Sequence, residues 1–228
     1  MKLTIAMPTM NEEKAIKKVV CDIRKNVPFG KSEYEILIVD GSKDRTPEIA
    51  RRLGVRVVRQ KPQGHGVAYR ECLKLARGDV VITADCDNTY PMEDIPKFLD
   101  KIEEGYHIVS GNRLNKRNRS MPAINKFGNW MFATMLKLFY GINTKDITTG
   151  MRAYTKEIAK MDNWETNYSF LAEIMIKAVK KGFKFTEFDI DYRERIGQAT
   201  INRIISGRAY LLCILKYKFK LPFPNKLL

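Results

Sequence analysis

The chain has 228 residues, 44% of them hydrophobic, and carries 41 lysines and arginines against 26 aspartates and glutamates. That suffices for a substantial core in one domain, expected over residues 1–198, followed by a basic amphipathic tail over 199–228. The net charge of +15 calls for an anionic partner without choosing among nucleic acid, phospholipid and phosphorylated metabolites, while the lack of any apolar run of bilayer length or of a signal peptide points to a cytoplasmic protein.

In chain order, Leu3-Thr4-Ile5-Ala6-Met7 reads as a strand, and Asn11 as the cap of a helix whose Ala15, Ile16, Val19, Val20, Ile23 and Val27 form one apolar face. Glu35-Ile36-Leu37-Ile38-Val39 is a second strand, followed by a capped helix from about Thr46 to Leu53 and a short strand at Val55-Arg56-Val57-Val58. A helix over about 67–77 precedes the strand Asp79-Val80-Val81-Ile82; a helix over 94–104 precedes the strand His107-Ile108-Val109-Ser110. This alternation predicts a mainly parallel sheet with helices on both faces.

The second half is less regular. Residues 115–122, with Lys116, Arg117 and Arg119, read as a charged, mobile loop. The apolar helix over 127–140 is too short to span a membrane, and is either core or partly inserted at an interface. A helix over about 169–181 and a strand over 185–192 complete the fold. The tail from Ile201 sets Ile204, Ile205, Tyr210, Leu211, Leu212, Ile214 and Leu215 against Arg203, Arg208, Lys216, Lys218 and Lys220. It is suited to a membrane-surface anchor or to packing on the domain. Cys21, Cys72, Cys86 and Cys213 lack metal-site spacing and read as reduced packing residues.

The chemistry gathers where strands end. Asp85-Cys86-Asp87 follows the Asp79 strand, and open α/β sheets bind ligands at the carboxyl ends of their strands. One or two carboxylates plus substrate phosphates is a common way to hold a hard divalent cation. Taken alone, the pair also suits a turn or a helix cap. Beside it stand Pro8-Thr9-Met10-Asn11-Glu12-Glu13 after the first strand, Asp40-Gly41-Ser42-Lys43-Asp44 after the second, and Gly64-His65-Gly66 at a helix start. Gly111-Asn112-Arg113 and Asp146-Ile147-Thr148-Thr149-Gly150-Met151-Arg152 follow. For Asn11 and Asp44 helix capping is the simpler reading.

In this order the motifs resemble those of the family 2 glycosyltransferases of the GT-A fold, a Rossmann-like α/β architecture, and within them the polyprenyl-phosphate sugar synthases such as dolichyl-phosphate mannose or glucose synthase. The resemblance runs from Leu3 to about Leu212. It implies an inverting hexosyl transfer from a nucleotide-diphosphate sugar to a polyprenyl (dolichyl) phosphate. It also implies Mg²⁺ or Mn²⁺ on Asp85 and Asp87, and Pro8, Glu12, Asp40, Gly64, Gly66 and Asp85 around the donor nucleotide. Arg113, Arg119, Arg193 and Arg195 fall in segments matching the acceptor-phosphate region; Arg117 and Arg119 also fit a solvated charge run. Asp146 resembles an aspartate near the acceptor, and equally suits capping of the Thr148-Thr149-Gly150 turn. Thr89 stands where the mannose synthases tend to have Gln, so the resemblance does not extend to mannose.

Such an enzyme would sit peripherally on the cytoplasmic face of the membrane, using an anionic lipid surface or a membrane partner subunit. The alternative within the family is another acceptor, a glycan or a lipid-linked sugar, whose hydroxyl would need a general base. A basic nucleic-acid-binding module is disfavoured because the sequence lacks an RNA-recognition signature.

Overall fold

The structure, a computed structural model, describes residues 2–115, 123–198 and 203–221. Seven strands form one sheet: β1 (Leu3–Thr9), β2 (Tyr34–Asp40), β3 (Arg56–Arg59), β4 (Val80–Thr83), β5 (Ile108–Asn112), β6 (Arg152–Thr155) and β7 (Phe185–Asp189). Their spatial order is β3-β2-β1-β4-β6-β5-β7. All neighbours are parallel except β6, which runs antiparallel to both β4 and β5. The helices are α1 (Ile16–Asn26), α2 (Thr46–Arg52), α3 (His65–Leu75), α4 (Ile95–Glu103), α5 (Ala123–Tyr140), α6 (Lys156–Ala159), α7 (Phe170–Lys180) and α8 (Arg203–Phe219).

The expected mainly parallel α/β sheet is present, with a layer of core on each face. β1 is an interior strand, paired on both sides, and is apolar in alternation. Leu3, Ile5 and Met7 pack with Ile16, Val19, Val20 and Ile23 of α1 and Phe98 of α4, while Ala6 faces the layer formed by α3, α5, α7 and α8. The α1 residues recur at the spacing that keeps one helical stripe inward, and each fully buried aliphatic side chain contributes roughly 1.5–3 kcal/mol.

β6 was not anticipated, because its first residue is an arginine. Arg152 is fully buried, and its guanidinium donates to the carbonyls of Leu171 (2.7 Å) and Ile147 (2.6 Å). A charged residue whose Nη groups are taken by backbone carbonyls deep in a sheet has no hydropathy signature. The C-terminal helix α8 packs on the domain over its middle. Ala209, Tyr210, Cys213 and Ile214 are buried, Tyr210 stacks on Phe132 of α5 at 5.7 Å, and Tyr217 Oη donates to Glu173 Oε1 of α7 at 2.7 Å.

The chain winds from β1 to β2 and β3 in one direction, then returns to place β4 on the other side of β1. The carboxyl ends of β1, β2 and β4 therefore meet at a topological switch point, where such sheets open a crevice.

Candidate active site

β4 ends at Thr83, whose hydroxyl donates to Gly150 O at 2.8 Å, and the chain leaves the sheet carrying Asp85 and Asp87. Tyr69 Oη of α3 donates to Asp85 Oδ1 at 2.8 Å, and His65 Nε2 lies 3.7 Å from the same oxygen. Burial pulls the Asp85 carboxyl upward, but His65, Tyr69 and the Arg113 charge outweigh it and hold it below the usual carboxylate range. Gly150 makes room for this arrangement. A Cβ there would fall 2.2 Å from Tyr69 Oη and 3.2 Å from Asp85 Oδ1.

Asp87 is in the opposite state. Asn88 takes a left-handed backbone (φ 71°), turning the chain so that Thr89 N (3.0 Å) and Oγ1 (2.5 Å) donate to Asp87 Oδ1. Its Oδ2 meets Arg195 Nη1 at 2.7 Å. Burial, reinforced by the Asp85 charge, raises the Asp87 carboxyl against the pull of Thr89 and Arg195. Two neighbouring carboxylates driven apart in this way attract a cation, and a divalent ion suits the all-oxygen pair. Among the described residues no group of three or more His, Cys, Asp and Glu side chains is placed to hold a metal. Asp85 and Asp87 could hold a cation only with further oxygen ligands from a substrate.

On the β1–β2 side, fully buried Asp40 accepts from Thr9 Oγ1 (2.7 Å) and Ser42 Oγ (2.6 Å) and is ion-paired with Arg59. Glu12 is largely buried and contacts Arg195 Nη2 through Oε1 at 3.2 Å. Desolvation pushes its carboxyl up to about 8, with Arg195 opposing and Asp87, Asp85 and Asp44 reinforcing. Asn11 does not cap α1, which begins at Ile16. It adopts a left-handed backbone (φ 59°), donates its N–H to Ser42 Oγ (2.7 Å) and accepts from Lys43 N (2.9 Å), joining the two strand-end loops. Asp44 does act at the start of α2, accepting from Thr46 N at 2.9 Å, and also from Glu13 N at 3.2 Å.

Gly64 and Gly66 serve an unexpected neighbour. Asn167 Oδ1 accepts from the N–H groups of Gly66 (3.0 Å) and Val67 (3.2 Å), so the first amides of α3 are occupied. A Cβ on Gly66 would sit 1.9 Å from Asn167 O, and one on Gly64 2.3 Å from its Nδ2. The glycines admit this segment against the helix start.

Arg113, at the end of β5, is locked on Asp146. Nε donates to Oδ2 (2.7 Å), Nη2 to Oδ1 (3.0 Å), and the backbone N to Oδ2 (3.1 Å). Nη2 also reaches Thr148 Oγ1 at 2.9 Å, and the guanidinium lies 5.3 Å from the centre of the Tyr192 ring and 5.9 Å from that of Tyr90. Asp146 is fully buried, caps the following turn through Thr148 N (3.2 Å), and has its carboxyl held low because Arg113 outweighs desolvation.

Residues 4–161 match the family described as glycosyl transferase family 2. The chain belongs to that family. A relative from Haloferax volcanii described as a dolichyl-phosphate hexose transferase is 44% identical over 94% of this chain and 92% of its own length. A second from the same organism, described as a low-salt glycan biosynthesis hexosyltransferase, is 31% identical over 90% of this chain but only 51% of its own. Among solved structures, glucosyl-3-phosphoglycerate synthase from Mycobacterium tuberculosis shares the fold with a TM-score of 0.76. It is 19% identical, with 97% of this chain and 81% of that one covered.

In this glycosyltransferase Asp85, Asp87, Glu12 and Arg195 form one charged cluster, with Asp40 and partly exposed Pro8 at the adjoining strand ends. The Arg113–Asp146 pair lies within electrostatic reach of Asp85. Arg193 is turned away from both, ion-paired with Glu93 and 3.6 Å from Asp22 Oδ2; Arg119 lies outside the described residues. Tyr69, His65, Thr89, Asn167 and Tyr192 were not singled out as site residues. For two of them a signal existed: His65 and Tyr69 are one helical turn apart, which puts both rings on the same face of α3, 4.5 Å between centres.

Proposed function

We propose that this glycosyltransferase moves a hexosyl unit from a nucleoside-diphosphate sugar to a polyprenyl phosphate, with inversion at the sugar carbon. An oxygen of the acceptor phosphate attacks the anomeric carbon, and the bond from that carbon to the diphosphate oxygen breaks. Asp85 and Asp87 would hold Mg²⁺ or Mn²⁺, which supplies neutralisation of the departing diphosphate. Asp40, Glu12 and Pro8 border the place of the nucleoside, and Gly64 and Gly66 shape the helix start beside it.

The observation that carries the acceptor assignment is the state of Asp146. A hydroxyl acceptor needs a general base near its attacking oxygen. Asp146 is buried, bidentately paired and held acidic, so it is poorly placed for that work and well placed to orient Arg113. A phosphate monoester, largely dianionic near neutral pH because its second pKa is about 6, needs no base and does need a fixed arginine. Arg113 is that residue in this reading, with Arg195 adding positive charge at the Asp87 side of the site. The relationship to the Haloferax volcanii transferase supports the same reading.

A lipid acceptor also requires access to a membrane. No helix among the described residues is long and apolar enough to cross one. Instead α5 exposes Ile124 (69%), Phe127 (60%), Trp130 (62%) and Leu138 (73%), close in sequence to Lys126 and Lys137. Apolar side chains with lysines around them favour peripheral docking on an anionic, cytoplasmic membrane face. A membrane partner subunit would use the same face. From the buried side of α5, Asn129 Nδ2 donates to Thr148 Oγ1 at 3.0 Å, which in turn contacts Arg113. The helix that meets the lipid is thus one hydrogen bond removed from the acceptor arginine's own partners.

The deciding experiment is transfer of radiolabel from a panel of nucleotide sugars to a short-chain polyprenyl phosphate with Mg²⁺ or Mn²⁺. Metal-dependent formation of a lipid-extractable product, lost in Asp87→Ala, is expected. Binding of nucleotide sugar with no label reaching the lipid would leave the donor half standing and remove the acceptor.

A further inference from the structure

We propose that Arg195 is a resident countercharge that closes the cation site of the donor-free enzyme, so that its guanidinium and a divalent ion hold Asp87 in turn and never together. The inference rests on the assignment of Asp85 and Asp87 as the metal carboxylates. Asp87 commits Oδ1 to Thr89 N and Oγ1, which leaves Oδ2 for a cation, and Arg195 Nη1 is there at 2.7 Å. Nη2 of the same side chain reaches Glu12 Oε1 at 3.2 Å, so one guanidinium bridges carboxylates delivered by two different strand ends. Its Nε is buried with no hydrogen-bond partner. The position is therefore set by charge rather than by completed hydrogen bonding. A divalent ion binding Asp87 directly would be forced against this cation, and in a partly buried site like charges at contact distance repel strongly.

The segment that carries Arg195 is attached in a way that permits release. Arg193 N donates to Thr89 O (2.9 Å), Ile196 N to Asp87 O (2.9 Å) and Asn88 Nδ2 to Glu194 O (3.2 Å). No residue of 191–198 is buried. The ion pairs of Arg193 and Arg195 add to these contacts, and Tyr192 meets Tyr90 edge-on at 6.3 Å, but with no strap residue buried, displacing the Arg195 end exposes little hydrophobic surface. A metal ion alone has nothing to offer the displaced arginine. A metal accompanied by a diphosphate brings anionic oxygens that can take the guanidinium over. The cation is thus expected to enter with the nucleotide, and free metal to find the site closed.

The test is a titration of full-length protein with Mn²⁺ alone, no nucleotide present, with free Mn²⁺ read from its electron paramagnetic resonance signal. Wild type is expected to bind weakly and Arg195→Ala about tenfold more tightly, the loss of one competing cation at contact distance. Arg193→Ala, which removes an equal charge from the same strap but from Glu93 and Asp22, is expected to match wild type. Equal or weaker binding in Arg195→Ala overturns the proposal, as does equal tightening in Arg193→Ala, since the effect would then be bulk charge. Absence of Mn²⁺ binding in both wild type and Arg195→Ala overturns it too, because removal of the arginine would not have opened the site. Combining Arg195→Ala with Asp87→Asn separates the premise from the gate. The tightening should vanish; if it persists, the metal lies elsewhere and the assignment of the aspartates falls, taking the proposal with it.

Discussion

Asp85 is held by a phenol on one side and by the space a glycine leaves on the other. Tyr69→Phe keeps the buried ring and removes only the hydroxyl donating to Oδ1, so the fold should persist while the carboxylate loses one hydrogen bond. The expected result is a fall in kcat/KM of about tenfold, the kinetic equivalent of about 1.4 kcal/mol, with little change in Tm. Glu12 offers a different handle, because burial raises its carboxyl to about 8 from an ordinary 4.5. Between those values the native state binds a proton that the unfolded chain has released. Stability therefore falls as pH rises through that window and is unaffected below it. Glu12→Gln cannot titrate. In chelator-treated protein the variant should gain on wild type steadily from pH 5 to about 8, and parallel melting curves at all pH values would show that Glu12 is not perturbed. Asp146→Asn separates the two acceptor classes. With a phosphate acceptor the damage should act through Arg113, raising KM for the lipid without removing a limb of the pH–rate profile; loss of a basic limb in kcat would restore the hydroxyl-acceptor alternative.

At the scale of elements, the sequence was legible wherever a regular period coincided with burial. β1, β2, β4 and β5 and helices α1 to α4, α5 and α7 were expected within a few residues of where they lie, because each combines an apolar stripe with a recognisable end. β6 was not legible, since Arg152 interrupts any hydrophobic reading and its guanidinium partners are the carbonyls of Ile147, in the preceding loop, and Leu171, in α7. Nor was the role of the glycine pair at α3, which depends on Asn167, about a hundred residues away. Gly66→Ala should push residue 167 off the helix start and lower stability by roughly 1–3 kcal/mol, as overpacking does, measurable as a drop in Tm without any ligand. α5 carries the opposite kind of prediction. Phe127→Glu with Trp130→Glu replaces side chains that are mostly exposed, so Tm should hold while co-sedimentation with vesicles containing anionic lipid is lost. Retained vesicle binding would direct attention away from this face.

For the molecule as a whole, the clustering at the switch point was readable because its residues follow strand ends, and strand ends converge by topology. Asp85, Asp87, Glu12 and Asp40 needed only the order β2-β1-β4 to be brought together. The pairing of Arg113 with Asp146, and of Arg195 with Asp87 and Glu12, could not be read that way, because Asp146 and Arg195 lie in loops away from any strand's carboxyl-end residue and far along the chain from their partners. The tail shows the same limit. Its basic and apolar residues read as an appendage, yet Ala209, Tyr210, Cys213 and Ile214 are as buried as the sheet, and Tyr140 Oη of α5 donates to Ile214 O at 2.5 Å. The layer on that face is built from α3, α5, α7 and α8 together. Ending the chain after Gln198 would uncover Phe132, Leu136 and the inner side of α7, at a cost of several buried side chains of about 1.5–3 kcal/mol each. We therefore expect the truncated protein to lose its cooperative thermal transition or to aggregate, in the presence or absence of lipid. A truncated chain that melts like the full-length protein and fails only at vesicle binding would instead make the tail a membrane anchor, and would move the boundary of the folded domain back to 198.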